Sequence, residues 1–412
     1  MLNLVSAANG PCEVHLREHG NDFGPRSEAA KREVLRVCCQ REVSYAIVHS
    51  KRHVFHPEET ALAEMVDGRP ALVLVDKNIW QLFGRQLSAY TALHLKCLGK
   101  VTVHGSERRK DWGQVQRICS HALRLGLPRD GVMVAFGGGV TLDLSGMAAS
   151  LYRRGVAYVR VPTTLVGIVD TAVGIKHGFN FKSRKNILGT FYPPIGVIND
   201  VSFLATLTER ELSCGLAEII KMGVVRDATL LTLLEQNAEA LLQSRFQSPV
   251  ALAMQVLLRA ERVMIEELQP NLFEKCQARL PDFGHTFSQG LERASGYEMR
   301  HGHAVALDML LSTGIAVRHG LCSKKIFERM ACLYRASGLP LTSSVMTPEL
   351  LLASARDARL HRSGDLNLVV PIDFGRATYL QEVGRDDLEY SLAMMEQSAD
   401  EQSVSRCARV GV

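Results

Sequence analysis

The sequence predicts an α/β first half built on a parallel sheet, followed by a mainly α-helical second half. Three observations predict it. Buried-strand patterns alternate with helical spacing as far as about residue 205, the signature of strands joined through helical crossovers. Beyond about Leu207 strand signals vanish until Leu366–Pro371, and helical segments take their place. The chain has 412 residues, 46% hydrophobic and 22% charged, enough to bury two packed cores and too apolar for a disordered chain. The expected division is an N-terminal extension over 1–40, an α/β domain over 41–205 and a helical domain over 206–412.

Taken in order, residues 1–40 are polar and of mixed charge, as in an extension or a peripheral first helix. Short strands are expected at Ser44–His49, Ala71–Asp76 (ALVLVD) and Lys100–His104. Trp112–Leu125 places Val115, Ile118, Ala122 and Leu125 on one helical face, with Gly126 as its stop and Pro128 beyond. Gly131–Phe136 is a buried strand that runs into Gly137, Gly138 and Gly139, then a helix from about Leu142 to Tyr152. Tyr158–Val161 and Gly196–Asp200 are further strands. Val169–Gly189 reads as an irregular polar loop. The second half reads as helices over Thr208–Val225, Ala228–Leu242, Pro249–Leu268, Phe283–Ala294, His303–Arg318 and Lys324–Ser337. Thr208 with Glu211 forms a capping-box start to the first of them.

Several function classes are set aside by composition. No apolar run approaches the roughly 20 residues that cross a bilayer. The N-terminus lacks a basic start followed by an apolar stretch, so it does not read as a signal peptide, and a cytoplasmic protein is expected. The ten cysteines are scattered without a C-x-x-C pair, which reads as buried thiols rather than disulfides or a zinc ribbon. A net charge of +5, 6% aromatic residues and no basic run interleaved with aromatics argue against nucleic acid.

Three groups of residues could carry chemistry. The glycine triplet Gly137–Gly139 between strand and helix would let backbone N–H groups approach a pyrophosphate, although the spacing also suits a plain tight turn. Asp76 ends an earlier strand, where a ribose hydroxyl could be held. Glu107 and Lys110 follow the next strand and by default read as surface charge. The second group is Glu218 (GLAEIIK), His285 (DFGHTF) and His301 (RHGHAV). One carboxylate and two imidazoles suit a catalytic zinc, but ligands so far apart cannot be told by spacing from structural histidines. Lys221 shares a helix face with Glu218. The third group is the loop carrying Asp170, Lys176, Lys182, Lys185 and Asn186; its lysines and asparagine suit a phosphate, and a solvated charged loop is the alternative.

Read together, FGGGVTLDLSGMAASLYRRG, VPTTLVGIVDTAVGIKHGFNFKSRKNILGTFYPP, LTERELSCGLAEIIKMG, DFGHTFS and HGHAVALDM resemble the dehydroquinate synthase superfamily, the sugar phosphate cyclases. The likeness covers roughly residues 70 to 372. It implies an NAD-binding α/β domain, a helical domain, an active site in the cleft between them, and a homodimer. By this resemblance Glu218, His285 and His301 fall on zinc ligands, a site where another divalent metal such as cobalt could stand. Gly137, Gly138, Gly139, Asp143, Thr163 and Thr164 fall on the NAD segment, and Asp76, Glu107 and Lys110 on adenosine-side contacts. Asp170, Lys176, Lys185, Asn186 and Lys221 fall on substrate-contacting positions, Arg259 is a further substrate-binding candidate, and Arg154 falls on an arginine that reaches the phosphate from the neighbouring subunit.

Departures from the dehydroquinate synthase pattern select a branch. Seven and three residues before His285, where that enzyme has arginine and asparagine, stand Ala278 and Asp282. The arginine that pairs a substrate carboxylate is thus missing, and Asp282 is expected to repel one. Arg279, one place away, could take over after a small shift. His361 replaces a lysine near the C-terminal strand. These features resemble the 2-epi-5-epi-valiolone synthase branch, which takes sedoheptulose 7-phosphate through transient oxidation, loss of phosphate, reduction and an intramolecular aldol closure. Gln289 replaces an expected proline and leaves an epimer such as 2-epi-valiolone as a second product. His303 replaces a glutamate and leaves a contact near the metal open. Desmethyl-4-deoxygadusol and 3-dehydroquinate synthases are the alternatives within the family, and a metal-dependent polyol dehydrogenase or a non-catalytic relative the alternatives outside it.

Overall fold

The computed structural model describes residues 42–182 and 184–400. Those expected to form an N-terminal extension lie outside the described residues. A six-stranded parallel sheet is built from β1 (Ala46–His49), β2 (Pro70–Asp76), β3 (Lys96–Val103), β4 (Val132–Gly137), β5 (Ala157–Pro162) and β8 (Gly196–Asn199). Its spatial order is β1-β8-β5-β4-β2-β3. From β2 the chain winds outward to β3 on one side and to β4 and β5 on the other. The order therefore reverses between β2 and β4, and a crevice opens at their C-terminal ends, where open α/β sheets bind ligands.

Strands buried on both faces read as continuous apolar runs, and Ala71–Val75 and Val132–Phe136 are fully buried. Helices α1 (Ala61–Val66), α2 (Lys77–His94), α3 (Trp112–Arg124) and α4 (Gly139–Leu151) alternate with these strands. Asp76 caps α2 and Asp111 caps α3, each accepting a backbone N–H in the first turn.

The segment read as an irregular loop is ordered instead. A π-helical turn over Gly167–Thr171 leads into an antiparallel hairpin of β6 (Lys176–Phe181) and β7 (Arg184–Phe191), with Lys176 opposite Phe191. The reason lies in burial. His177, Gly178 and Phe179 turn into the sheet's core, which the polar residues around them concealed in the sequence.

From Glu209 the chain is mainly helical. It forms α5 (Glu209–Val225), α6 (Ala228–Gln243), α7 (Val250–Leu268), α8 (Ser288–Ala294), α9 (His301–Arg318), α10 (Lys324–Ala336), α11 (Pro348–His361) and α12 (Arg385–Asp400). A small antiparallel pair, β9 (Leu368–Asp373) and β10 (Arg376–Leu380), lies between the last two helices in sequence. The expected capping box of Thr208 and Glu211 is present. The expected helix over Phe283–Ala294 is shorter. Gly284 takes φ +81, and the buried Asp308 carboxylate of α9 accepts the N–H groups of Phe287 (2.5 Å) and Ser288 (2.9 Å). The helix can begin only after those bonds, so His285 lies on an irregular turn. Leu165, Ile168, Val169 and Val173 of the first half pack into the helical core, tying the π-helical turn to α5 and α7. The cysteines are less buried than expected. Among the described residues Cys214 is buried, Cys276 is exposed, and the rest are partly covered.

Candidate active site

Helix α5 starts the site. Its residues from Leu212 to Val225 are all buried, including two charged ones, Glu218 and Lys221. Buried charges need partners. Lys221 Nζ lies 2.6 Å from Glu218 Oε2, one helical turn away. Glu218 Oε1 lies 3.4 Å from His301 Nε2 at the start of α9. The rings of His285 and His301 are 5.3 Å apart. The ligand atoms of Glu218, His285 and His301 all fall within 4.8 Å of one another. Tertiary structure thus joins three residues up to 83 positions apart in sequence.

Do these residues fit a metal ion? Neither carboxylate oxygen of Glu218 has an aligned hydrogen-bond donor; Lys221 is close enough to pair by charge but is not directed along a lone pair. A buried carboxylate with both oxygens open and two imidazoles facing it is the donor set of a catalytic zinc centre with room for a further ligand. His285 Nδ1 lies 3.2 Å from the Phe283 carbonyl, which fixes the proton on Nδ1 and leaves Nε2 for a metal. Burial, with Lys221 nearby, lowers the His285 pKa to about 3, so the ring stays neutral as a ligand must. For Glu218 burial favours the acid, but Lys221 and His301 outweigh it and hold the carboxyl well below its ordinary value.

A residue that sequence reasoning missed completes the centre. Glu292 on α8 receives His301 Nδ1 at 3.0 Å and Lys185 Nζ at 2.5 Å. A carboxylate behind a ligating histidine orients the ring and raises its basicity. Glu292 lies seven residues after His285 and carried no signal of its own; only contact across α8 and α9 reveals it.

The crevice side is equally organised. Gly138 caps α4 with no side chain to bind its first N–H groups, so these donors face the crevice. A Cβ on Gly137 would meet Thr141 Cβ at 2.6 Å, and one on Gly138 would meet Thr164 Cγ2 at 3.0 Å. The close approach leaves a backbone cradle that Thr163 and Thr164 border, Thr163 through its N–H to the Gly137 carbonyl at 3.0 Å. Asp76 accepts a bond from Thr141 Oγ1 at 3.2 Å across the same crevice. This geometry suits a dinucleotide pyrophosphate. Glu107 and Lys110 are not the surface charges that the default reading of the sequence made them. Lys110 is buried, 2.5 Å from Asp143 Oδ2 and 2.7 Å from Asn186 Oδ1, while Glu107 accepts from Asn180 at 2.9 Å. Lys185 lies 3.6 Å from Glu107 as well, so it links the crevice to α8.

A third wall carries alternating charge. Lys176 Nζ lies 2.7 Å from Glu274 Oε1, which also contacts Arg279. Arg279 Nη2 donates to Asp282 Oδ1 at 2.5 Å, and Arg362 Nη2 lies 3.8 Å from Asp282 Oδ2. Asp170 is half-buried on the neighbouring turn; desolvation there, tempered by Lys221, raises its pKa. Three sequence expectations are corrected here. His361 is exposed at the end of α11, and it is the next residue, Arg362, that is buried and turns inward, because the helix ends between them. Arg259 is engaged in a two-pronged bond to Asp227, the cap of α6, at 2.8 and 2.9 Å, and so serves the fold. Asp282 is not a bare negative charge, since two arginines cover it. His303 bonds Ser213 Oγ at 3.0 Å, away from the metal ligands. Gln289 is exposed, one turn before Glu292 on the same face of α8. Arg154 is exposed at φ +64, with no ion pair among the described residues.

Residues 100–214 match the family model for the 3-dehydroquinate synthase N-terminal region, and residues 215–359 match the model for its C-terminal region. The chain belongs to the 3-dehydroquinate synthase family. Within this family it is 42% identical to a 2-epi-5-epi-valiolone synthase of Streptomyces glaucescens, over 80% of this chain and 85% of that one. A solved 2-epi-5-epi-valiolone synthase of Streptomyces hygroscopicus subsp. jinggangensis, with NAD+ and Zn2+ bound, is 39% identical with a TM-score of 0.84, covering 88% of this chain and 99% of that one. A 2-deoxy-scyllo-inosose synthase solved with carbaglucose-6-phosphate, NAD+ and Co2+ shares the fold at 22% identity and a TM-score of 0.72, covering 84% and 96%. Among the described residues no helix is long and apolar enough to cross a membrane.

Proposed function

We propose that the chain is a sugar phosphate cyclase that converts sedoheptulose 7-phosphate into 2-epi-5-epi-valiolone with loss of phosphate. The observation that carries this reading is the wall beside the metal site: Arg279 is shared between Glu274 and Asp282, and Arg362 donates to the Leu366 and Asn367 carbonyls with its other nitrogen 3.8 Å from Asp282, which leaves a polar surface suited to hydroxyl groups rather than to a carboxylate. Its likeness to 2-epi-5-epi-valiolone synthases over four-fifths of its length supports the same reading.

Bound zinc would polarise a substrate hydroxyl, and bound NAD+ would accept and return a hydride. Glu218, His285 and His301 would hold the metal, and the Gly137–Gly139 cradle with the first turn of α4 the dinucleotide. Lys221, buried beside the ligands, and Asp170, half-buried there, would bind the hydroxyls and exchange a proton with them. Lys176, Lys185 and Asn186 would take the phosphate. Asp282 would accept hydrogen bonds from the polyol end, and Gln289 would border the opened chain. Holding both ends in one site supplies the proximity that ring closure needs.

Incubation with sedoheptulose 7-phosphate, zinc and NAD+ should give a carbocycle, identified by NMR, with one phosphate released per turnover. The total NADH should stay flat. Steady NADH accumulation in step with product would instead mark a polyol dehydrogenase.

A homodimer is part of the proposal, with the exposed Arg154 reaching the phosphate of the neighbouring subunit's site. Inactive Arg154→Ala and Lys176→Ala proteins, mixed and allowed to exchange, should regain partial activity, because one site of each mixed dimer then carries neither change. No recovery after demonstrated exchange counts against shared sites.

A further inference from the structure

We propose that Glu274 is a specificity-determining residue which, with Asp282, masks Arg279 and thereby closes the site to carboxylate-bearing sugar phosphates; this rests on the cyclase reading above. The sequence leaves Arg279 as a candidate anchor for an acidic substrate. The structure shows how that anchor is occupied. One guanidinium nitrogen, Nη1, contacts Glu274 Oε1, and the other, Nη2, donates to Asp282 Oδ1. An arginine binds a carboxylate best by presenting two parallel N–H groups. Here both terminal nitrogens are spent on the chain's own carboxylates.

Glu274 is held in that position by its loop. Asn271 bonds the Cys276 backbone twice, through Oδ1 at 3.1 Å and Nδ2 at 2.8 Å, and the Glu274 N–H reaches the Asn271 carbonyl at 2.8 Å. Glu274 itself takes φ +51, an uncommon conformation for a residue with a side chain. The side chains of Arg279 and Glu274 are only 15% and 17% exposed, so solvent screens the pair weakly. A substrate carboxylate approaching Arg279 would find both terminal nitrogens already facing Glu274 and Asp282, carboxylates that Lys176 and Arg362 also hold in place, and would have to displace one of them. A hydroxyl has no such penalty and can donate to either carboxylate. Ala278 alone would explain a lost contact; Glu274 explains why the adjacent arginine does not replace it.

The test compares sedoheptulose 7-phosphate with the acidic substrate of 3-dehydroquinate synthase on the zinc- and NAD-loaded protein. Two readouts are taken: kcat/KM for each compound, and the Kd of the acidic one by calorimetry, which does not depend on turnover. Glu274→Gln should tighten the acidic compound about tenfold, and Glu274→Gln with Asp282→Asn about a hundredfold, the range of one recovered charge-assisted bidentate contact. Adding Arg279→Ala to the double variant should abolish the gain. An unchanged Kd in the folded double variant, or a gain that survives Arg279→Ala, overturns the proposal. Failure of the unaltered protein to cyclise sedoheptulose 7-phosphate would instead remove the reading on which it rests.

Discussion

His285→Ala is expected to leave a folded protein that has lost its zinc and at least about a thousandfold of its turnover, since a metal acting as a Lewis acid supplies several kcal/mol of transition-state stabilisation. The fold should survive because His285 lies on a turn pinned from elsewhere, through Asp308 to the backbone of Phe287 and Ser288. A graded companion separates ligand from support. Glu292→Gln keeps the shape behind His301 but removes the negative charge, and should weaken zinc about 10- to 100-fold without abolishing binding. Metal content after chelator competition reads both effects. Full zinc in a folded, active His285→Ala protein would falsify the assignment of the centre.

Arg160→Met should cost about 2–4 kcal/mol of stability and lower kcat/KM more than tenfold, although Arg160 touches none of the metal ligands. Its side chain is fully buried in β5. The guanidinium donates to the carbonyls of Thr171 at 2.9 Å and Gly174 at 2.5 Å, to Tyr158 Oη at 2.7 Å and to His177 Nε2 at 2.9 Å. Burial, with Arg160 beside it, keeps the His177 pKa below its ordinary value, so the ring can accept that bond. Methionine fills much of the volume but leaves the Thr171 and Gly174 carbonyls without their donor in the core, while Tyr158 Oη, 2.7 Å from His177 Nε2, still pairs the imidazole. Those carbonyls lie between Asp170 and Lys176, so loosening them displaces both residues from the site. A urea midpoint equal to that of the unaltered protein would show that the carbonyls find other donors and that Arg160 does not position the segment.

The architecture was legible in the amino-acid sequence, and so were the candidate metal ligands that the fold then brings together. Apolar runs such as Ala71–Val75 and Val132–Phe136 can be buried on both faces only in a covered parallel sheet, and helical spacing with explicit caps marks α3 and α5. Motif order carried Glu218, His285 and His301, which spacing alone could not join. Tertiary structure decided the rest. It made a hairpin of the segment around His177, because the burial of His177, Gly178 and Phe179 depends on the elements packed against them. It turned Arg362 rather than His361 inward, because a helix end sets direction and sequence position does not. It brought Glu292 behind His301 and Glu274 against Arg279, pairings across nine and five residues of chain that only the turns between them create. A side chain's charge is written in the sequence; whether that charge faces a substrate or is already spent on a neighbour depends on distances of a few ångströms that only packing fixes.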